Sequence, residues 1–311
     1  MIDIVGKRRL WYIISLIAIL PGLISLIFFG INWGIDFTGG TNWELQFDLE
    51  VPTEEVRTIL NANGFEGAVV QASDDNTIIL RMRELREGSP EKTAIETALN
   101  DQFGTFQELE LTTVGPSVGS AVRDRAVLAV GLASIGILLY IAYAFRNTNN
   151  PILYGLCAIA ALLHDAFFVL GVFSILGKVA DVEVDALFVT AMLTIIGFSV
   201  HDTIVVFDRV RENLARRAAP TFEETVNYSV VQTIVRSVNT SVTVVLTLLA
   251  LYLFGGESTR WFVFALLIGV LAGTYSSIFN ASQLLVSWEN GEIQRMFRFG
   301  RSKANARTTA A

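Results

Sequence analysis

Five ionisable side chains lie inside or at the edge of long apolar runs: His164, Asp165, His201, Asp202 and Arg236. A charge held in hydrocarbon costs at least ~2.5 kcal/mol, so residues of this kind are functional candidates by default. Buried carboxylates and one arginine are the parts of a proton relay. Burial raises a carboxylate's pKa and a nearby guanidinium lowers it, so a site where the two compete can load and release a proton. The competing reading is a fixed Asp–Arg pair that only holds helices together. The two His-Asp pairs also raise a zinc centre. Consecutive residues point about 100° apart on a helix, however, and nothing in the spacing gathers four ligands. No metal and no cofactor is expected, only protons.

Arg236 is followed by Thr240, Thr243 and Thr247, at i+4, i+7 and i+11. These share one helix face, and the stripe is expected to look inward. The alternative for Arg236 is an interfacial side chain that snorkels to water. Gly269, Gly273, Ser276 and Asn280 form a second stripe that contains a GxxxG pair. Small residues let helix backbones approach closely. Helix packing is the favoured role of Gly269 and Gly273, and packing against a partner subunit is a further one.

The elements that must position these residues are membrane helices. The 311 residues are 52% hydrophobic and only 17% charged, whereas a soluble chain carries about 25% charge. The apolar excess falls in runs long enough to cross ~30 Å of hydrocarbon. They are Leu10–Gly30, Ala126–Phe145, Pro151–Leu176, Ala186–Phe207, Val238–Phe254 and Trp261–Trp288. Asp165 falls near the middle of the third. Asp202 falls in the cytoplasmic third of the fourth, and Arg236 at the cytoplasmic entry to the fifth. Lys7, Arg8 and Arg9 precede a run too long for a signal peptide, so the first span is expected to be retained.

Positive residues collect in cytoplasmic loops. With the N-terminus inside, Lys7, Arg8, Arg9, Arg146, Arg209, Arg211, Arg216, Arg217, Arg236, Arg295, Arg298, Arg301, Lys303 and Arg307 are cytoplasmic. The short outer loops then hold only Lys178 and Arg260, and Arg123 and Arg125 depart from the pattern. Both termini are expected inside. The chain divides into an N-terminal tail and first span (1–30), an outside domain (31–119), spans two to six with a cytoplasmic loop near 209–236 (120–288), and a cytoplasmic tail (289–311). The single cysteine, Cys157, excludes an internal disulfide and a cysteine-ligated metal.

The outside block carries sixteen acidic and five basic residues. That surface does not suit nucleic acid, which needs a basic footprint. "TNWELQFDL" alternates as a strand does. "PTEEVRTILNANG" reads as a helix from Thr53 to Gly64 without a complete capping box. "GAVVQAS" and "NTIILRMR" are strands joined at Asp74-Asp75-Asn76. "SPEKTAIETALNDQFG" is a second helix with Ser89 as N-cap and Pro90 at its first position, and "TFQELELTTV" is a last strand. The order β-α-β-β-α-β is ferredoxin-like. The expected class is therefore a membrane α-helical protein of six spans with one extracytoplasmic α+β domain. Gly34, Gly39 and Gly40 lead into that domain and Gly115 and Gly119 lead out. They read equally as hinges or as tight turns. A phosphate loop at Gly34–Gly40 lacks its lysine and its spacing.

"GIDFTGGT", "VGPSVGS", "GFSVHDTIVVFDRVREN", "VRSVNTS" and "GTYSSIF", in this order, resemble the conserved blocks of the SecF family. SecF is a subunit of the bacterial SecDF protein-export complex, in the resistance-nodulation-division superfamily. The resemblance runs from about Trp33 to the end of the sixth span. It implies a protein of the bacterial inner membrane that uses the proton motive force to assist translocation, alongside SecD, the SecYEG channel, YajC and translocating preproteins. Asp202 matches the family's intramembrane aspartate and Arg236 the arginine that opens the fifth span, both associated with proton transport. Asp165 lies in a block similar to the family's third span. His201 stands where the family often has Asn, so it either joins the relay or merely hydrogen-bonds. A small-molecule efflux transporter of the same superfamily and a non-catalytic assembly scaffold are the alternatives. Typical members of the first carry two large outer domains and about twelve spans in one chain, so the short length of this chain counts against it.

Overall fold

The computed structural model describes residues 2–73, 75–148, 150–292 and 295. Asp74 of the expected turn and most of the expected tail, with Arg298, Arg301, Lys303 and Arg307, lie outside the described residues. The described chain forms two compact units. One comprises Asn32–Ala129 with Glu183–Ala186; the other is helical and takes the described residues on either side.

The first unit holds a four-stranded antiparallel sheet, β1 (Gly40–Phe47), β2 (Val69–Ala72), β3 (Thr77–Met82) and β4 (Phe106–Val114), in the order β2-β3-β1-β4. With helices Thr53–Ala62 and Pro90–Phe103 between strands, this is the ferredoxin-like arrangement that the alternation and caps predict. The period of two sets which side is buried. Thr41, Trp43, Leu45 and Phe47 of β1 face inward. Trp43, Leu45 and Phe47 meet Ile78 and Leu80 of β3, Val56 and Leu60 of the first helix, and Ile95 and Leu99 of the second. Full burial of such a side chain contributes about 1.5–3 kcal/mol. Asp75 and Asn76, in the connection between β2 and β3, both take positive φ, a conformation that Asp and Asn tolerate better than most residues. Ser89 accepts the Lys92 N–H at 3.2 Å, with Pro90 at the first helical position. Thr53 is the first helical residue, preceded by Pro52, with no side-chain cap.

Among the described residues, six helices are long and apolar enough to cross a membrane: Val5–Phe28, Pro116–Ala144, Pro151–Val179, Ala186–Ala215, Phe222–Phe254 and Ser258–Glu289. They are called the first to sixth spans. Several outrun their apolar cores. The second begins at Pro116, so Arg123 and Arg125 are helical. The connection expected near 209–236 is also mostly helix. Only 216–221 is not, because the polar ends are supported locally. Arg209 and Arg216 both pair with Glu212, Arg211 pairs with Asp208, and Thr221 caps the fifth span through the Glu224 N–H.

Within the helical unit, the first and third spans approach at two glycines. A Cβ on Gly22 would stand 2.6 Å from Gly171 Cα, and the reverse holds equally. Ser25 and Ser174 join their hydroxyls at 2.8 Å one turn further on.

Candidate functional site

The third, fourth and sixth spans each supply hydroxyls or acids to a buried polar cluster. Asp165 is 1% exposed. Its Oδ2 accepts from Ser199 Oγ at 2.6 Å and from Ser276 Oγ at 2.7 Å, while Oδ1 lies 3.0 Å from His164 Nδ1. The His164 ring stacks on Tyr275, 6.2 Å between centroids. Next to this group, Thr203 and Ser277 share a 2.8 Å hydrogen bond, and Ser277 donates to the Ser199 carbonyl at 3.0 Å.

Two local features let the sixth span enter so closely. A Cβ on Gly273 would fall 2.9 Å from Ser199 Cβ, and one on Gly269 would overlap Ile195. Both glycines therefore face the fourth span of the same chain, which corrects the partner-facing alternative. Immediately after Ser276 the helix widens to a π-turn over Ser277–Ala281, a distortion common at functional sites. It carries Asn280, whose Oδ1 accepts from Ser15 of the first span at 2.9 Å.

Asp202 is a different case. It is 2% exposed, and its Oδ2 is buried without a hydrogen-bond partner. His201 Nδ1 stands 3.9 Å from Oδ1 on a side chain that is two-thirds exposed. Among the described residues Asp202 and Arg236 form no ion pair. The structure brings Asp165 together with His164, Ser199 and Ser276, and leaves Asp202 unsatisfied beside His201.

The stripe headed by Arg236 turns out to face away from the helical unit, contrary to the inward expectation. Arg236, Thr243 and Thr247 are exposed. The threonine hydroxyls return to their own helix: Thr240 donates to the Arg236 carbonyl, Thr243 to that of Thr240 and Thr247 to that of Thr243. The inward face of the fifth span lies one position round and holds Thr233, Ser237 and Ser241, with Ser241 hydrogen-bonded to Thr274 of the sixth span at 2.5 Å. Sequence spacing shows that residues share a face, but not which way that face points.

The five linker glycines differ among themselves. Gly39 and Gly40 take φ of +76° and +134°, which other residues rarely adopt. Gly34 is extended and close to Val184, and Gly115 has open space around it. Gly119 lies against Gly39, where a Cβ would be 2.9 Å from the Gly39 amide nitrogen. "GIDFTGGT" and the start of the second span are thus packed on one another within the sheet unit.

The sequence reading missed the hydroxyl partners of Asp165, the Gly22–Gly171 contact and one further cluster, in the sheet unit. Lys92, with a 7% exposed side chain, pairs with Glu87 at 2.8 Å, Glu108 at 2.9 Å and Glu96 at 3.4 Å. Burial pulls its pKa down, but the hydrogen bonds and charges of Glu87 and Glu108 outweigh it and hold the ammonium above its usual range.

Residues 94–291 match the family model of the SecD/SecF protein export membrane protein, C-terminal part, and residues 24–48 match the SecD/SecF GG motif. The chain belongs to the SecF family of protein translocase subunits. A SecF from Thermobaculum terrenum is 55% identical over 96% of this chain and 97% of its own length. The SecDF of Bacillus subtilis is 38% identical over 94% of this chain but only 39% of its own. The crystal structure of SecDF from Thermus thermophilus, described as a translocon-associated membrane protein, superposes with a TM-score of 0.81 at 34% identity. It covers 93% of this chain and 39% of that one. The chain therefore spans about two-fifths of the SecDF chains it matches. Membership of the SecF family and six apolar helices make it a multi-pass membrane protein.

Proposed function

We propose that the chain is the SecF half of a complex with SecD, which uses the proton motive force to assist the translocation of exported proteins at the outer face of the bacterial inner membrane. The observation that carries this reading is Asp202: a carboxylate within a membrane span, buried, with one oxygen unpartnered. Leaving such a group unsatisfied is costly. A proton, or the guanidinium of Arg236 once a rotation of the fifth span turns it inward, removes that cost. Alternation between the two is a carrier cycle. Each unit charge crossing 100 mV supplies ~2.3 kcal/mol, enough to bias a helix rearrangement transmitted to the sheet domain.

His201 fits a role at the entry to Asp202, since its ring is mostly exposed. Asp165 fits a second station, linked to the neighbourhood of Asp202 through Ser199, Ser277 and Thr203. Its saturated hydrogen bonding also favours a second reading for this residue alone, a structural anchor of three spans. The exposed Arg236–Thr247 stripe suits a partner helix, and SecD is the partner that the longer SecDF relatives supply in the same chain. The SecYEG channel, YajC and preproteins are the remaining proposed partners, and the acidic sheet domain faces outward. No cofactor beyond protons is required.

The test is proton flux and export measured together in vesicles holding the protein with SecD. Asp202→Asn should insert and co-purify with SecD, yet lose flux and lower export to the level without the complex. Arg236→Lys keeps charge but loses the planar fork, and should be less impaired than Arg236→Met. Full flux and export in Asp202→Asn would reject the carrier role.

A further inference from the structure

We infer that Asp36 is a positioning residue that holds the start of the fourth span and thereby couples the span bearing Asp202 to the sheet domain. The inference rests on the proton-driven reading. Asp36 sits in the four-residue helical turn Ile35–Thr38, between Gly34 and Gly39. Its Oδ2 accepts the backbone N–H of Ala186 at 2.8 Å, and Ala186 is the first residue of the fourth span. The first N–H groups of a helix have no intrahelical acceptor, and a carboxylate there complements the helix dipole. A cap usually comes from the residue just before the helix. Here an oxygen arrives from 150 positions earlier in the chain.

The carboxylate is one stitch in a longer clasp, all of it inside the sheet unit. Gly34 N–H donates to the Val184 carbonyl at 2.9 Å, and Val184 N–H donates to the Asn32 carbonyl at 2.8 Å. Trp33 and Val184 are thereby paired as a parallel bridge. Arg81 of β3 faces Glu183 at 3.2 Å, both half-buried. The backbone approach is close enough that a Cβ on Gly34 would meet Val184 O at 3.2 Å. The same turn receives the start of the second span, because Gly39 and Phe37 lie against Pro116 and Gly119. The segment from Asp36 to Gly39 therefore touches the first residues of two spans and leads directly into β1. The start of the fourth span is thereby tied to β1 through hydrogen bonds inside the sheet unit. The clasp stays closed through the cycle and acts as a strut.

Vesicles of the protein with SecD test this, with export of a secreted reporter and proton flux read separately. Asp36→Ala is expected to lower export at least tenfold while Asp202-dependent flux stays within twofold of wild type. Asp36→Asn keeps an oxygen for the Ala186 amide and should retain at least half of the export. The pair Trp33→Cys and Val184→Cys, oxidised, fixes the clasp covalently; it should export normally and restore export to Asp36→Ala. Wild-type export by Asp36→Ala overturns the inference. So does an oxidised pair that blocks export until reductant is added, and so does loss of flux and export alike in Asp36→Ala without rescue by the oxidised pair. Wild-type vesicles that show no Asp202-dependent flux sink the proton reading instead, and the strut is then decided by export and disulfide rescue alone.

Discussion

Ser199 and Ser276 both donate to the same oxygen of Asp165, so the two bonds share one function. A hydrogen bond to a charged group contributes about 1.5–3 kcal/mol. Ser199→Ala or Ser276→Ala should each lower the melting temperature of the detergent-solubilised protein. The double variant should cost more than the sum of the two, because only it leaves that buried carboxylate oxygen without either hydroxyl donor. An unchanged melting temperature in the double variant would remove the anchor role. Lys92 gives a second residue-scale prediction, in the sheet unit. Lys92→Met strands three partly exposed carboxylates, which water can reach, so a loss of about 1–2 kcal/mol is expected rather than the 3–5 of a fully buried pair. The folded-state pKa of Lys92 lies above the ordinary 10.5. Its stabilisation is therefore fully present below that value and fades as pH rises through the folded pKa. The difference in stability between wild type and Lys92→Met should stay flat from neutral pH to about pH 10 and shrink only beyond. A difference that shrinks between pH 6 and 9 contradicts the assignment. The acids in apolar runs were legible because each one interrupts the run. Their partners were not, since a serine on an apolar helix gives no signal and Ser276 is 111 positions from Asp165.

At the scale of elements, a glycine matters where two backbones meet. Gly22 and Gly171 are such a pair, and neither belongs to a GxxxG motif, so the sequence pattern drew attention only to Gly269 and Gly273. Substituting Leu at Gly171 forces the first and third spans apart. Overpacking of this kind costs about 1–3 kcal/mol, and separation of Ser25 from Ser174 adds to it. Gly131→Leu, at a position with open space around its Cβ, is the control and should leave stability unchanged. Equal melting temperatures for the two variants would contradict the crossing. Element type and order in the sheet domain were legible because alternation, the Ser89-Pro90 start and the turn at Asp75-Asn76 agree with one another. The ends of the spans were not. Hydropathy stops where charge begins, while the helices continue through ion-paired polar turns such as Arg209–Glu212. The outward turn of the Arg236 stripe was equally hidden, because a polar face on a membrane helix can serve its own bundle or a neighbour's.

For the whole molecule, the helical unit gathers three distant segments at one end. Arg8, at the start of the first span, pairs with Glu223 at 2.7 Å and with Glu292 at 2.5 Å. Asn227 accepts the N–H groups of Ile4 and Val5 at 2.9 and 3.1 Å, and donates to the Ile2 carbonyl at 3.0 Å. The hydrogen bond from Arg8 holds the Glu292 carboxyl below the usual carboxylate range. This join is therefore intact above the ordinary carboxylate pKa and lost as pH falls through the lowered one. The N-terminus, the connection between the fourth and fifth spans and the end of the sixth thus share one side of the membrane, as six spans require. Which side that is depends on charge. Lys7, Arg8, Arg9, Arg209, Arg211, Arg216 and Arg217 all belong to this end, and positive residues are retained in the cytoplasm. The pairing of Arg8 with two glutamates does not weaken that assignment, because acidic residues contribute little to orientation. A reporter active only in the cytoplasm should be active when fused at the C-terminal residue and silent when fused after Gly88. The reverse pattern would invert the molecule, move Asp202 to the outer third of its span and place the sheet domain in the cytoplasm, where it could not act on a polypeptide emerging outside.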